Sequence, residues 1–280
     1  MCFCVGGTLR SAAAETVAAP AYRPLAYPAP APGSYELPPL GAAADGAVID
    51  RDGRSTRLFE EVGADGITIL SFIYTSCRES NGCPMASFVL GRVARSVAED
   101  ETLRTRTRFV TLSFDPVRDT PEKMARYAER LRPPESVSWR FLTTTGPDAL
   151  DPILEAYGQA VNHDRDANGA RTGTLSHVLR VYLVDSRRRI RNIYSSSFLH
   201  ADTVLADLET VLLEESSQRA AGAALKTSAA NAKADAAFRQ ASALIDRATA
   251  KTPGLPLLPR LNEDPLTESR VALGLSLIHI

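Results

Sequence analysis

The sequence predicts an α/β domain in which a central mixed sheet is flanked by helices, and three observations carry that expectation. Short apolar runs rich in β-branched residues alternate with segments of helical period. Two of the runs, Ile67–Ile73 and Arg108–Phe114, read as buried strands. Two further strands around a polar turn, followed by an amphipathic helix, close the domain. At 280 residues the chain can hold one or two domains and bury a sizeable core. Its 32 basic and 33 acidic residues leave a net charge of -1, so composition offers no nucleic-acid surface. Four cysteines are too few for a disulfide scaffold. No apolar run reaches the roughly eighteen residues of a membrane-spanning helix.

Taken in order, residues 1–40 read as a leader and a Pro/Ala-rich tether. Met1–Gly7 is apolar but short and has no basic segment before it, while Ala12–Ala21 is small enough for a signal-peptidase site. The start is therefore expected to be a damaged, truncated or mis-started export signal, with Cys2 and Cys4 incidental to it. Seven prolines between Pro20 and Pro39 predict an extended segment that does not pack. The folded domain is expected over residues 41–215. Ala47–Ser55 reads as a hairpin turning at Asp52-Gly53. Ile67–Ile73 is the central strand, and from Met85 the residues Val89, Val93 and Val97 continue one helical face. Arg108–Phe114 stops at Asp115-Pro116. Thr120-Pro121-Glu122 starts a helix whose apolar face is Met124, Tyr127, Ala128 and Leu131. Val137–Leu142 is a short strand, and Leu150, Ile153, Leu154 and Tyr157 mark the next helix. Strands over 178–184 and 190–194 flank the basic run Arg187-Arg188-Arg189, read as a turn. Leu205, Leu208, Val211 and Leu212 give the final helix. A thioredoxin-like arrangement fits this order.

The chemistry concentrates after the central strand. A polar loop holds Cys77, and Cys83 stands just before Pro84, near the start of the next helix. A helix N-terminus favours thiolate, the form that attacks disulfides and ligates metals. Read from the residues alone, the pair is a redox couple, a ligand pair or a structural disulfide.

Three blocks carry a resemblance. Tyr74-Thr75-Ser76-Cys77 with Cys83-Pro84, then Leu112–Glu122, then Ser176-His177 with Val181–Asp185, resemble in order and spacing the Sco/SenC/PrrC family of copper-handling proteins. The resemblance spans roughly residues 41–214. It implies a thioredoxin-like fold and one copper, Cu(I) or Cu(II), held by Cys77, Cys83 and His177, with the acidic Asp115 beside the site. It implies delivery of copper, or reduction of thiols, at a respiratory oxidase copper-site subunit, with a thioredoxin-like reductant as a second partner. The place implied is the periplasm or the outer face of the bacterial inner membrane. One departure is plain: five residues separate the cysteines where the usual pattern has three. Two thiolates and an imidazole are a soft, low-coordinate set suited to copper, and short of the four ligands of a structural zinc site.

The rival function is a thiol-disulfide oxidoreductase, peroxide-linked in one version, using Cys77 and Cys83 without copper. A domain that only docks a haem partner is a third reading. His177 separates the first two, since a dithiol couple has no need of it. Each residue also has a plain structural reading: His177 as a surface histidine, Asp115 as a strand-ending turn residue. Met85 is expected in the core, and His163 and His200 are expected to be solvated.

Residues 216–250, rich in Ala, Lys, Gln and Asp, predict a solvated linker that is helical in part. Residues 251–274 resemble the opening of bacterial di-haem cytochrome c peroxidases. No Cys-x-x-Cys-His motif occurs, so no haem is expected in the chain as given. Residues 275–280 resemble a translated sequencing adapter, which predicts a gene cut off inside a second domain.

Overall fold

The computed structural model describes Ala19, residues 22–62 and residues 66–250. The expected leader and the peroxidase-like and adapter-like stretches lie outside these residues. Two compact units divide the chain, the first ending at Ser217 and the second starting at Gln218.

In chain order the elements are β1 (Gly41–Ala42), β2 (Ala47–Asp50), β3 (Ser55–Arg57), α1 (Leu58–Glu61) and β4 (Ile67–Ile73). There follow α2 (Cys83–Glu99), α3 (Glu101–Arg106), β5 (Thr107–Ser113), α4 (Pro121–Leu131), β6 (Ser138–Thr143) and α5 (Pro147–Ala156). The chain continues through β7 (Val161–Arg165), β8 (Arg171–His177), β9 (Val181–Val184), β10 (Arg189–Tyr194) and α6 (Ala201–Ala250). Eight strands form one sheet in the order β1-β10-β9-β4-β5-β6-β2-β3, and β7 and β8 pair separately. The sheet is mixed, as expected. β4, β5 and β6 run parallel, and the strands on either side are antiparallel.

All seven residues of β4 are buried, which is why the strand reads as a continuous apolar run. β4 and β5 pair in register from Ile67↔Thr107 to Ile73↔Ser113. The loops that follow them therefore leave the sheet at the same edge, and Phe114 N–H donates to the Ile73 carbonyl at 2.9 Å. This carboxyl edge of parallel strands is where open α/β sheets place ligands. The Met85, Val89, Val93 and Val97 stripe of α2 is buried, and so are Leu208, Val211 and Leu212 of α6.

Four expectations are corrected. The Pro-rich segment packs. Tyr35 Oη donates to Asp207 at 2.5 Å and Gly33 N–H to Thr210 Oγ1 at 3.0 Å, both on α6. The Tyr22 ring lies 5.2 Å from that of Phe88. The prolines keep the backbone extended, and the residues between them supply the contacts. His200, expected in solvent, is half-buried with its ring 5.9 Å from Tyr22, and its Nδ1 is enclosed without a hydrogen-bond partner among the described residues. The linker expected to be helical in part is continuous helix to Ala250, in keeping with its many strong helix formers. The strand expected from Val178 starts at Val181, because Arg171–His177 forms β8 of a hairpin the apolar pattern did not reveal. That hairpin turns on Asp166, whose Oδ1 accepts from Asn168 and Ala170 N–H groups at 2.9 Å each, and on Gly169 at φ 81°. The side chain of His163 lies outside the described residues.

Candidate metal centre

The loop carrying Cys77 is fixed at both ends. At its start Asp119, 1% exposed, accepts from Thr75 N–H at 2.9 Å, Thr75 Oγ1 at 2.5 Å and Ser113 Oγ at 2.6 Å. One buried carboxylate thus ties the β4 exit to the end of β5. At the far end Gly82 precedes α2, and a Cβ built there would lie 3.3 Å from Cys77 Sγ and from the Cβ and carbonyl of Glu79. A side chain there would crowd the sulfur, so Cys77 or the loop would have to give by a few tenths of an ångström. Cys83 is the first residue of α2, at the helix start where it was expected, with Pro84 behind it.

Both thiols are free, Cys83 buried and Cys77 half-exposed. They share a hydrogen bond, and it splits their acidities. Cys77 is lowered to about 6, chiefly by the bond from Cys83, with the Cys83 and Glu79 amides and the Tyr74 hydroxyl adding to it against burial. The same bond, with burial next, pushes Cys83 well above its ordinary value. Cys77 is the thiolate of the pair, and Cys83 holds the proton. Burial, followed by the charge on Cys77, pushes the Tyr74 hydroxyl up and keeps it a donor.

His177 ends β8, and its Nε2 lies 3.7 Å from Cys83 Sγ. Its Nδ1 is 3.4 Å from the Leu175 carbonyl, an arrangement that favours a proton on Nδ1 and a lone pair on Nε2 facing sulfur. Phe114 and Tyr74 enclose the ring, with centroids at 4.6 and 5.7 Å. The structure therefore brings Cys83 to both Cys77 and His177. Among the described residues, no three or more His, Cys, Asp and Glu side chains already stand as a metal-holding group.

Asp115 is buried at the start of the loop after β5, and its carboxylate accepts from Arg118 Nη1 at 3.3 Å. The carboxylate that anchors the thiol loop is Asp119, a role the sequence reading did not single out. Nothing in its local sequence marks that role, since its partners Thr75 and Ser113 lie 44 and 6 residues away in the chain. Met85 lies in the core, as expected.

The SCO1/SenC family model matches residues 48–213. No curated protein matches the sequence at a significant level. Among solved structures, a SCO1/SenC family lipoprotein from Bacillus anthracis is similar at 19% identity, over 64% of this chain and 99% of that one, with a TM-score of 0.52. Apo Sco1 from Thermus thermophilus is 24% identical over 63% of this chain and 94% of its own, TM-score 0.48. Copper-bound ScoI from Arabidopsis thaliana is 19% identical over 59% of this chain and 97% of its own, TM-score 0.48. The first of these supports the thioredoxin-like architecture built above.

Proposed function

The chain belongs to the SCO1/SenC family, and from that premise we propose that it is a copper-handling protein whose ligands are Cys77, Cys83 and His177. The observation that carries the reading is the 3.7 Å approach of Cys83 Sγ to His177 Nε2 across a hydrogen-bonded thiol pair. Metal–thiolate and metal–imidazole bonds are about 2.3 and about 2.0 Å long, so one ion can reach both atoms without displacing either element. A thiolate, a second thiol and an imidazole are a donor set suited to Cu(I), and one that also holds Cu(II). Copper is cargo in this reading, and its recipient is a respiratory oxidase copper-site subunit. The place of action is the periplasm or the outer face of the inner membrane. Among the described residues no helix is long and apolar enough to cross a membrane.

Copper titration of the reduced full chain, followed by desalting and metal analysis, tests this. Retention of about one copper per chain is expected, and its loss in Cys77→Ala, Cys83→Ala and His177→Ala. Retention unchanged in His177→Ala refutes the three-ligand site.

A second reading has its own observation. A half-exposed thiolate hydrogen-bonded to a buried thiol is also the reduced form of a dithiol–disulfide couple. If the chain retains no copper but forms a reversible Cys77–Cys83 disulfide, thiol-disulfide exchange with a partner protein is its function, and a thioredoxin-like protein is its reductant.

A further inference from the structure

The hairpin of β7 and β8 that carries His177 pairs with no strand of the main sheet among the described residues. Two strands alone are marginally stable in water, so the place of the imidazole depends on what holds the base of the hairpin. Leu175 and Leu179, on either side of His177, are buried. Burial is non-directional, and it does not decide which atoms of the segment face the thiols.

Directed bonds come from the C-terminus of α5. Gly158, at φ 61°, closes that helix in the left-handed region, and Gln159 N–H returns to the Leu154 carbonyl at 2.8 Å. This capped end meets the chain just after His177 at three points. Gln159 Nε2 donates to the Val178 carbonyl at 2.7 Å, Arg180 Nη1 donates to the Gly158 carbonyl, and Tyr182 Oη donates to the Tyr157 carbonyl at 2.6 Å. Tyr182 lies in β9, which the main sheet already fixes. Val178 has no such support, since its side chain is exposed and packing does not hold it. Gln159 is 4% exposed, and its Oε1 is buried with no hydrogen-bond partner among the described residues. An orphaned buried acceptor is a cost that an apolar side chain would avoid. What the amide supplies in return is its donor.

We propose that Gln159 and Arg180 are positioning residues: from the capped end of α5 they latch the segment after β8 and so hold the His177 imidazole at Cys83. The proposal rests on the reading of His177 as a copper ligand.

Two measurements on the full chain test it. Gln159→Met keeps the side-chain length and removes the donor, and Arg180→Met does the same at the second point of the latch. In the metal-free chain His177 is acylated with diethyl pyrocarbonate and followed by peptide mass spectrometry. Its rate is expected to rise about fivefold in each variant, the factor that one hydrogen bond of ordinary net strength supplies. His200, which is not on the hairpin, keeps its parent rate. The thermal midpoint stays within about 3 °C of the parent's, because Gln159→Met removes a buried orphan while it frees the carbonyl of an exposed residue. With Cu(II) bound, the nitrogen coupling in the electron paramagnetic resonance spectrum that His177→Ala abolishes is weakened in both variants. Unchanged His177 acylation in both variants overturns the proposal. So does a rise that His200 shares, or one that follows a large fall in the midpoint, since either makes the two residues general supports of the fold. A parent spectrum without nitrogen coupling refutes the ligand reading instead, and the metal-free acylation rates still decide the latch.

Discussion

Replacing Asp119 tests how the thiol loop is held. The carboxylate accepts three hydrogen bonds, from Thr75 N–H, Thr75 Oγ1 and Ser113 Oγ, and is 1% exposed. Asp119→Ala leaves three donors facing a side chain that cannot accept. A buried group stripped of its partner costs about 1–3 kcal/mol, and the hydroxyls can rotate toward other acceptors while the amide cannot. The amide at the lower part of that range plus partial losses at the hydroxyls gives about 3 kcal/mol of destabilisation. Urea unfolding followed through Trp139, the single tryptophan and a buried residue, reads the loss. Asp115→Ala is the comparison. Its partner Arg118 has a side chain 41% exposed, so the ion pair itself contributes less than about 1 kcal/mol. The same variants separate anchoring from ligation, because Asp119→Ala is also expected to weaken copper retention while leaving the three proposed ligands in the chain. Stability within about 0.5 kcal/mol of the parent in Asp119→Ala refutes the anchoring role.

Three further outcomes are expected. The alkylation rate of Cys77 rises with pH through a midpoint of about 6 and then levels off. Because the bond from Cys83 is the largest cause of that value, Cys83→Ala shifts the midpoint upward, and an unchanged midpoint contradicts this cause. Gly82→Ala places a methyl 3.3 Å from Cys77 Sγ, so the loop must shift and copper retention falls with little loss of fold stability; isothermal titration alongside thermal melting checks it. Tyr35→Phe removes the bond to Asp207 and destabilises the protein by about 1 kcal/mol. It also frees residues 22–40 for proteolysis, and a digestion pattern identical to the parent's counts against a packed strap.

The sheet and the thiol placement were legible because they rest on local signals. β4 is apolar at nearly every position, α2 carries its stripe every four residues, and Pro84 marks the helix start. His177 was different. Its position depends on a hairpin whose strands Val161–Arg165 and Arg171–His177 are largely polar, so hydrophobic period had nothing to register. The Asn168-Gly169 pair was the one local signal of the turn. Asp119 was invisible for another reason: its three bonds come from two strands' ends, and sequence spacing does not show that those ends share an edge. The strap misled because proline count predicts backbone shape, while packing was decided by the residues between the prolines: Tyr22, Gly33 and Tyr35, with Leu37 partly buried against the core.

The five-residue spacing between the cysteines bears on the proposed site through orientation rather than entropy. Lengthening a closed loop by two residues changes its closure cost by only about 0.4 kcal/mol, far too little to decide whether an ion is held. What the longer loop changes is which ligand can move. Cys83 is fixed as the first residue of α2 and His177 is enclosed by Phe114 and Tyr74. Cys77 sits on the segment between the Asp119 anchor and Gly82, half-exposed and already the thiolate of the pair. In the proposed site Cys83 and His177 are therefore the preset pair and Cys77 the ligand that closes on the metal. Deleting two loop residues, Ser80 and Asn81, tests this division. Cys77 is then held nearer the preset pair, so copper is retained at least as well as in the parent. If copper retention falls instead, the spacing serves the loop's fold and not the freedom of Cys77.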